Sequence, residues 1–492
     1  MKRHPMMKMP LGRAALMGCA TTLLVLTLGA RAQPFETPPP PAAPRELRIG
    51  APIEQSLPNG LRVVLAERRG VQLVSAQLLV LSGSEADPPR RAGLASLTAG
   101  LLTKGTRRYS ASALAQAAET LGGSLESAAG WNRSTVAITV AVPQLDAALG
   151  LVGEAVLRPT FAQAELDRLR TQTLDEMKVA YSQPGTLAAL AAQHVLFGTG
   201  PYGHPAGGTP ASLPRIKRAD LQALHTQRFR PDNAVLVLSG DLGAATALTL
   251  ANKHFGGWKK PSTALPAARV ASAGLPLELT VIDMPQSGQA AVVVVLPIPD
   301  SERDRAARDV MNSVLGAGYS SRLNQEIRIK RGLSYGANSR LEACRDGGLL
   351  RISVQTKNES AAEVLALVQG ELDGLAKAPV GSDELAARKA TLIGNFSRSV
   401  ETTAGLNEAV GSLIVAGRSP GELQRRIETL VAVSPAEIQA YAAASLLPAR
   451  RRVVVAGVAA QFLEALNAQG AAVTVVPQSA LDLERPDSLM RR

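Results

Sequence analysis

The stretch LQALHTQRFRPDNAVLVLSG, residues 221–240, decides the fold of this 492-residue chain. It predicts the end of a helix, a turn at a proline, and a buried strand that ends in glycine. The same frame recurs 217 residues later, as IQA at 438–440 followed by Pro448 and Gly457. A repeat at one constant offset, with the same order of elements around it, indicates a duplicated domain.

Both halves show the same order of predicted elements: two strands, two helices, a hairpin, several helices, and a strand that enters a helix. The extended segments are predicted at 61–67, 71–84, 124–142, 234–242, 279–284, 290–298, 334–355, 451–458 and 472–476. The paired helices are predicted at 91–103, 110–121, 301–315 and 320–330. Strand runs mixed with helical pairs predict an α+β fold of two homologous domains. Each domain is expected to be a mixed or antiparallel β-sheet with helices packed on one face.

The first 32 residues have the composition of an export signal. Basic residues precede an apolar run at 14–28, and Ala30 and Ala32 are small residues at the positions that a signal peptidase recognises. The run is shorter than the roughly 20 residues that a membrane-spanning helix needs. No later segment is long and apolar enough to span a membrane. We therefore expect a periplasmic protein without a stable membrane span.

The rest of the chain divides into five predicted segments. They are a proline-rich tether at 33–46, an N-terminal domain at 47–257, a linker at 258–276, a C-terminal domain at 277–478 and a polar tail at 479–492. Two domains agree with the length, since a single core stops growing at roughly 250–300 residues.

The composition argues against a nucleic-acid partner. The net charge is +12, but aromatic residues make up only 3% of the chain, and the longest basic run is the three arginines at 450–452. Of the two cysteines, Cys19 lies in the predicted export signal and Cys344 would remain alone. A disulfide within the mature chain is therefore not expected.

Several stretches together resemble peptidase family M16, the pitrilysin and insulinase group that also contains the mitochondrial processing peptidase. They are SLPNGLRVVLAE at 56–67, the GLA…KGT frame at 93–106, PYGHPAGGTPASL at 201–213, RFRPDNAVLVLSGD at 228–241 and GYSSRLNQEIRIKRGLSYGA at 318–337. The resemblance covers nearly the whole mature chain in the expected order, so it is more specific than any single motif. It implies that both predicted domains are M16-like.

Members of the family that cut peptides carry H-x-x-E-H on the helix predicted here at 91–103. Residues four apart share a helical face, so two imidazoles bind one Zn²⁺ while the Glu activates a bound water. The resemblance places Ser96, Ala99 and Gly100 where His, Glu and His would stand. None of these three can bind zinc or take a proton, so the resemblance implies a degenerate zinc site.

The family supplies a third zinc ligand, a Glu, from a later helix. The resemblance puts this position at Glu176, with Asp175 as the weaker choice. A single carboxylate on an amphipathic helix is most often a solvated surface residue, and alone it would hold zinc far too weakly to matter. We therefore expect no metal or other cofactor on this chain.

A second family feature is an Arg and a Tyr seven residues apart in the C-terminal half, which reach the active cleft. The resemblance assigns these roles to Arg328 and Tyr335. A guanidinium and a phenol can hydrogen-bond a substrate carbonyl, and the phenol can stabilise an oxyanion. A glycine-containing turn at 315–318 precedes them and would let a backbone approach closely.

The hairpin strand at 124–129 corresponds to an edge strand that pairs with extended substrate in the family. Where active members often have Asn-Ala, this chain has Glu126 and Ser127. This difference weakens the expectation that peptide binds here by strand addition.

Three functions are compatible with these observations. The favoured one is a non-catalytic subunit that binds unfolded peptide and positions it for a zinc-bearing M16 partner, in a heterodimer or a homodimer. In that case zinc is expected on the partner. The first alternative is a structural M16-like scaffold without peptide processing. The second is an autonomous zinc peptidase that uses an unrecognised site.

Overall fold

The computed structural model describes residues 49–267, 274–299, 301–344, 347–470 and 472–489. The predicted export signal and the predicted tether lie outside these residues. So do the middle of the predicted linker and the last residues of the predicted tail.

The described residues form twelve strands and fourteen α-helices. The strands are β1 Ile53–Ser56, β2 Arg62–Glu67, β3 Leu73–Val80, β4 Glu126–Ala129, β5 Ser134–Ala141, β6 Ala234–Gly240, β7 Leu279–Asp283, β8 Ala290–Ile298, β9 Ala337–Cys344, β10 Gly347–Thr356, β11 Arg452–Gly457 and β12 Val473–Pro477. The helices are α1 Leu94–Leu102, α2 Ala111–Thr120, α3 Leu145–Leu157, α4 Gln163–Tyr181, α5 Pro184–Phe197, α6 Arg218–Arg228, α7 Ala244–Phe255, α8 Arg305–Leu315, α9 Ala361–Lys377, α10 Ser382–Ser399, α11 Thr403–Val415, α12 Glu422–Ala432, α13 Pro435–Ser445 and α14 Leu463–Asn467.

The strands form two six-stranded sheets of the same design. The order is β1-β2-β6-β3-β5-β4 in the first sheet and β12-β7-β11-β8-β10-β9 in the second. In both sheets a parallel pair, β2 with β6 or β7 with β11, lies beside antiparallel strands. The predicted α+β fold with mixed sheets is confirmed. The sheets differ at one edge, where β1 runs antiparallel to β2 but β12 runs parallel to β7.

The offset of 217 residues seen in the sequence also relates elements of the structure. Helix α6 and helix α13 start and end at positions that differ by this number. The short turns Pro231–Asn233 and Pro448–Arg450 that follow them do the same. Gly240 and Gly457 end the equivalent strands β6 and β11. Each is needed because a Cβ would lie 2.3 Å from a backbone oxygen at Gly240 and 2.5 Å from a side-chain oxygen at Gly457.

Each sheet packs its own helices on one face. In the first half, alternate residues of β2, β3, β5 and β6 form one core with α1, α3 and α7. In the second half, β7, β8, β10 and β11 form the equivalent core with α8, α9 and α13. This arrangement agrees with the prediction of helices on one face, and it follows from strands that present an apolar row to each side.

The opposite face of each sheet is covered by a helix from the other half. Helix α11 packs across β3 and β6 of the first sheet, and helix α5 packs across β8 and β11 of the second. The buried face of α5 is a stripe of small residues, Ala188, Ala191 and Ala192, which lets the helix lie close to the strands. Each half therefore contributes one helix to the sheet of the other half, and this exchange of helices was not predicted from the sequence.

Polar side chains fix helix α11 on the first sheet. Asn407 is buried, and its amide donates to the carbonyl oxygens of Ser75, at 2.9 Å, and Val237, at 3.2 Å. It also accepts a hydrogen bond from the Ser239 hydroxyl. The hydroxyls of Ser75 and Thr403 lie 2.8 Å apart. Because each of these groups is paired, their hydrogen bonds together specify one position for the helix.

The predicted linker and tail contact the folded halves where they are described. Arg230 is 2% exposed and donates to the carbonyl oxygen of Thr263, at 2.8 Å, in the predicted linker. In the predicted polar tail, Leu483 and Leu489 are buried in the core beside α5. Glu484 forms an ion pair with Arg215. The domain boundaries themselves stay predictions.

Two local features differ from the sequence prediction. Strand β1 was missed because all four of its residues are exposed, so it carries no apolar alternation. The predicted helix at 320–330 contains a π-helical turn, Asn324–Ile329, in which the Lys330 amide donates to the carbonyl of Gln325 five residues earlier. A π-turn carries no distinct sequence period, so the pattern could not reveal it.

We expect Asn407→Ala to lower the free energy of unfolding by about 2–3 kcal/mol, because it leaves buried polar groups without partners. Urea unfolding of the full chain, followed by circular dichroism, measures this change. Asn395→Ala, on the exposed face of α10, is the matched control and should change stability by less than about 0.5 kcal/mol. Equal changes in stability for the two substitutions would contradict the conclusion that Asn407 holds helix α11 on the first sheet.

Candidate functional site

Helix α1 begins at a glycine and is capped by a buried carboxylate. Gly93 has a φ of 90°, and a Cβ there would lie 2.8 Å from the carbonyl oxygen of Gly207. The two oxygens of Asp87 accept hydrogen bonds of 2.8 Å from the amides of Gly93 and Ala95. Burial raises the pKa of Asp87 well above its ordinary value, while the hydrogen bonds from the amides of Ala95 and Gly93 oppose the shift. This carboxylate therefore holds the start of the helix.

The three positions that the resemblance assigns to zinc chemistry lie on α1 as a small-residue face. Ala99 is fully buried, while Ser96 and Gly100 are half-buried. A Cβ added at Gly100 would lie 3.1 Å from the Leu169 Cδ2 of helix α4. A methyl group, a hydrogen and one hydroxyl supply no imidazole and no carboxylate. These residues do not fit a zinc ion.

Glu176 lies on the exposed side of helix α4. It accepts a hydrogen bond of 2.9 Å from Gln172, one turn earlier. Asp175 is also exposed and pairs with Lys178 at 2.7 Å. Met177, which follows Glu176 in the sequence, packs against the core of the first half. Among the described residues, neither Glu176 nor Asp175 forms a hydrogen bond or an ion pair with helix α1.

Each of the four described histidines faces an oxygen of the protein. Their partners are Gly203 O for His194, Pro205 O for His204, Val156 O for His225 and Asp146 Oδ1 for His254. Burial lowers the pKa of His194 and of His225. Among the described residues, no group of three or more His, Cys, Asp or Glu side chains is arranged to hold a metal ion.

Strand β4 is the edge of the first sheet and is tied to α1. It pairs with β5 only, within the described strands. The Ser127 hydroxyl donates to the carbonyl oxygen of Ala99 at 2.7 Å and lies 3.3 Å from the Thr103 hydroxyl. Glu126 is exposed. Ser127 therefore links the edge strand to the helix at Ala99, the position that the resemblance assigns to the catalytic Glu.

Arg328 lies on the π-helical turn and stacks on an aromatic ring. Its Cζ lies 4.6 Å from the centroid of the Tyr319 ring, well within the range of a cation–π contact. The nearby carboxylate of Glu326 is paired with Lys330 and Arg331 instead, and these two cations lower the pKa of Glu326. The Arg328 guanidinium has no hydrogen-bond or ion-pair partner in the described part of the chain, so its donors are available to a ligand.

Tyr335 lies in the loop before β9 and is 91% exposed. The buried Asn324, on the same π-helical turn as Arg328, joins the segments on either side of that turn. The Asn324 amide donates to Gly318 O at 3.0 Å and to Ala337 O at 2.7 Å, and its oxygen accepts from the Ala337 amide. The turn before the π-helical segment and the start of β9 are therefore held together.

Sequence patterns did not identify Tyr319, Asn324 or Ser127 as site residues. Tyr319 follows the glycine-containing turn at 315–318 that was noted in the sequence, but a spacing of nine residues from Arg328 matches no helical period. The contacts of Asn324 and Ser127 join segments that lie 13 and 28 residues apart, so only the folded chain reveals them.

Comparisons with known proteins agree with the fold. Residues 62–206 match the family model described as insulinase, peptidase family M16. Residues 215–392 match the model described as peptidase M16 inactive domain. The second match begins in the first half, before helix α6, and ends within helix α10 of the second half.

Similar proteins carry differing names. An uncharacterized zinc protease of Mycobacterium tuberculosis is 29% identical over 382 residues, which cover 77% of this chain and 86% of the relative. The non-peptidase homolog YmxG of Helicobacter pylori is 27% identical over 338 residues, or 66% of this chain and 78% of the relative. The crystal structure of a peptidase M16 inactive domain from Pseudomonas fluorescens superposes with a TM-score of 0.77 at 28% identity, over 82% of this chain and 98% of that chain.

We expect Asp87→Ala to destabilise the protein by about 2–3 kcal/mol, because two buried amides at the start of α1 lose their acceptors. Asp87→Asn keeps one acceptor oxygen and should destabilise the protein less than Asp87→Ala does. Since the pKa of Asp87 is raised in the folded state, the folded protein binds this proton more tightly than the unfolded chain does. The stability contributed by Asp87 is therefore greatest at acid pH and falls as the pH rises from about 4.

Thermal unfolding of the wild type, Asp87→Asn and Asp87→Ala across about pH 4 to 7 tests both expectations. The Asp87→Asn variant should gain stability relative to the wild type as the pH rises. The reason is that Asn has no proton to lose, whereas the buried Asp87 of the wild type becomes charged. A constant difference between wild type and Asp87→Asn across this range would show that Asp87 does not titrate with a raised pKa.

Proposed function

Because this chain belongs to peptidase family M16, we propose that it is a non-catalytic subunit that binds peptide and positions it for a zinc-bearing partner. One observation carries the proposal. The helix that holds the catalytic residues in active members has Ser96, Ala99 and Gly100 at those positions, whereas Arg328 keeps its donors available and Tyr335 is exposed.

The proposed roles of this chain's own residues are binding and orientation. The Arg328 guanidinium donates to a backbone carbonyl or a carboxylate of the peptide, and the Tyr335 hydroxyl donates to a second oxygen. Holding the scissile carbonyl in place is a large part of peptide hydrolysis, and the groups that do so need not be on the chain that binds the metal. The zinc and its activated water would come from the partner.

The partner is proposed to be a zinc-bearing M16 chain, which makes the active species a heterodimer. The names of two relatives support this proposal, since the Helicobacter pylori relative is named a non-peptidase homolog and the Mycobacterium tuberculosis relative a zinc protease. Residues 1–32 suggest export, and we propose the periplasm as the location. None of the described helices is long and apolar enough to cross a membrane.

Peptide binding by the full chain is the first test. Isothermal titration with an unfolded peptide should detect binding, and Arg328→Ala should weaken it about tenfold, since a hydrogen bond from a charged donor is worth about 1.5 kcal/mol or more. Tyr335→Phe removes only the hydroxyl and should weaken binding about threefold. The control is Arg108→Ala, because Arg108 lies over Tyr109 at 5.9 Å in the other half.

Stable association with other proteins without any peptide binding would favour the scaffold alternative. Binding that is insensitive to Arg328→Ala and Tyr335→Phe would place the peptide elsewhere on the protein and contradict the assigned roles.

Reconstitution is the second test. The purified chain alone should contain far less than about one zinc ion per molecule and should not cleave peptides. Addition of a zinc-bearing M16 chain that co-purifies with it should give chelator-sensitive cleavage, and this cleavage should fall when Arg328→Ala replaces the wild-type chain. Stoichiometric zinc and chelator-sensitive cleavage by the chain alone would instead establish the autonomous peptidase.

A further inference from the structure

Three large apolar or aromatic side chains are exposed around Arg328. Tyr319 is 63% exposed, Ile329 is 44% exposed and Tyr335 is 91% exposed. Most residues of this kind in the described chain are buried, and a local group of exposed ones is typical of a binding surface. The proposed peptide site therefore has an apolar component that Arg328 and Tyr335 alone do not account for.

The Tyr319 ring and the Arg328 guanidinium form one unit. The guanidinium lies over the ring, 4.6 Å from its centroid, and its N–H groups donate to no other residue in the described part of the chain. This leaves the planar edge open to a carboxylate, which accepts two parallel hydrogen bonds from an arginine. It also leaves most of the tyrosine surface open to a neighbouring side chain.

The turn that carries Tyr319 is held rigidly. The buried Arg388 of helix α10 donates to the Ser320 carbonyl oxygen and, at 3.0 Å, to the Ser320 hydroxyl. Gly318, on the other side of Tyr319, has a φ of 131° and accepts a hydrogen bond from Asn324. The ring is therefore placed before a ligand arrives, which lowers the entropy cost of binding.

The charge around the stack is positive. Arg328, Lys330 and Arg331 carry three positive charges on this turn and the segment that follows, and Glu326 is the carboxylate that Lys330 and Arg331 share. The excess of positive charge favours an acidic ligand over a basic one.

We propose that Tyr319 is a further binding residue of this chain, and that the site selects peptides in which a carboxylate side chain lies next to an aromatic one. The carboxylate binds the open edge of Arg328, and the aromatic ring packs on Tyr319. This inference rests on the proposed function, because it assumes that peptide binds at Arg328.

Fluorescence anisotropy of the full chain with three labelled peptides tests the selection. The peptides share one sequence except for a central Glu-Phe, Gln-Phe or Glu-Ala pair. We expect the Glu-Phe peptide to bind about tenfold more tightly than the Gln-Phe peptide and about fivefold more tightly than the Glu-Ala peptide. The advantage of Glu over Gln should shrink as salt is added, since it depends on charge.

Substitutions of Tyr319 test the residue itself. Tyr319→Phe keeps the ring and should stay within about twofold of the wild type, whereas Tyr319→Ala should weaken the Glu-Phe peptide about fivefold. Tyr319→Ala should also abolish the preference for Phe over Ala. Tyr319→Leu keeps an apolar side chain but has no aromatic face. It should therefore weaken binding of the Glu-Phe peptide as much as Tyr319→Ala does. Arg108→Ala is the control, and circular dichroism checks that every variant is folded.

The outcomes separate this inference from the proposed function. Peptide binding that depends on Arg328 but is indifferent to Tyr319→Ala and Tyr319→Leu, or that treats Glu-Phe and Gln-Phe alike, would overturn the inference and leave the proposed function standing. A failure of all three peptides to bind the wild-type chain would overturn both.

Discussion

The exchange of one helix between the two halves is the constraint on which the rest of the structure depends. A mixed sheet with apolar residues on both faces must be covered on both, and each half places its own helices on one face only. Helix α11 covers the second face of the first sheet, and helix α5 covers that of the second. Separating the halves would expose both faces together. The relative position of α1 and the Arg328 turn therefore follows from packing rather than from a flexible linker.

Helix α1 shows that a fold and its chemistry have separate requirements. The helix needs a cap, which Asp87 provides, and an apolar face, which its leucines provide. Neither requirement needs an imidazole or a carboxylate at Ser96, Ala99 and Gly100, the positions that the family resemblance assigns to the two zinc ligands and the general base. Those positions can therefore hold Ala99 and Gly100, with Leu169 close to the glycine, while the element keeps its place beside β4.

The turn that carries Arg328 differs from helix α1, because here the pairing of neighbouring charged residues leaves the Arg328 guanidinium available to a ligand. Lys330 and Arg331 pair with Glu326, so Arg328 stacks on Tyr319 instead of forming an ion pair. Such a guanidinium keeps its donors for a ligand, and its position is set by the ring and by the π-helical turn. Functional sites commonly carry a local departure from α-helical geometry of this kind.

Much of the fold could be predicted from the sequence, because it depends on periodicities and spacings within single segments. The repeat at 217 residues predicted the duplication, and the frame around α1 showed which side chains cannot bind metal. Tertiary structure alone decided the helix exchange, the exposed orientation of Glu176 and the stack of Tyr319 on Arg328. The physical reason is that residue types and periods describe what a side chain is able to do, whereas its partner is chosen by packing between segments that lie far apart along the chain.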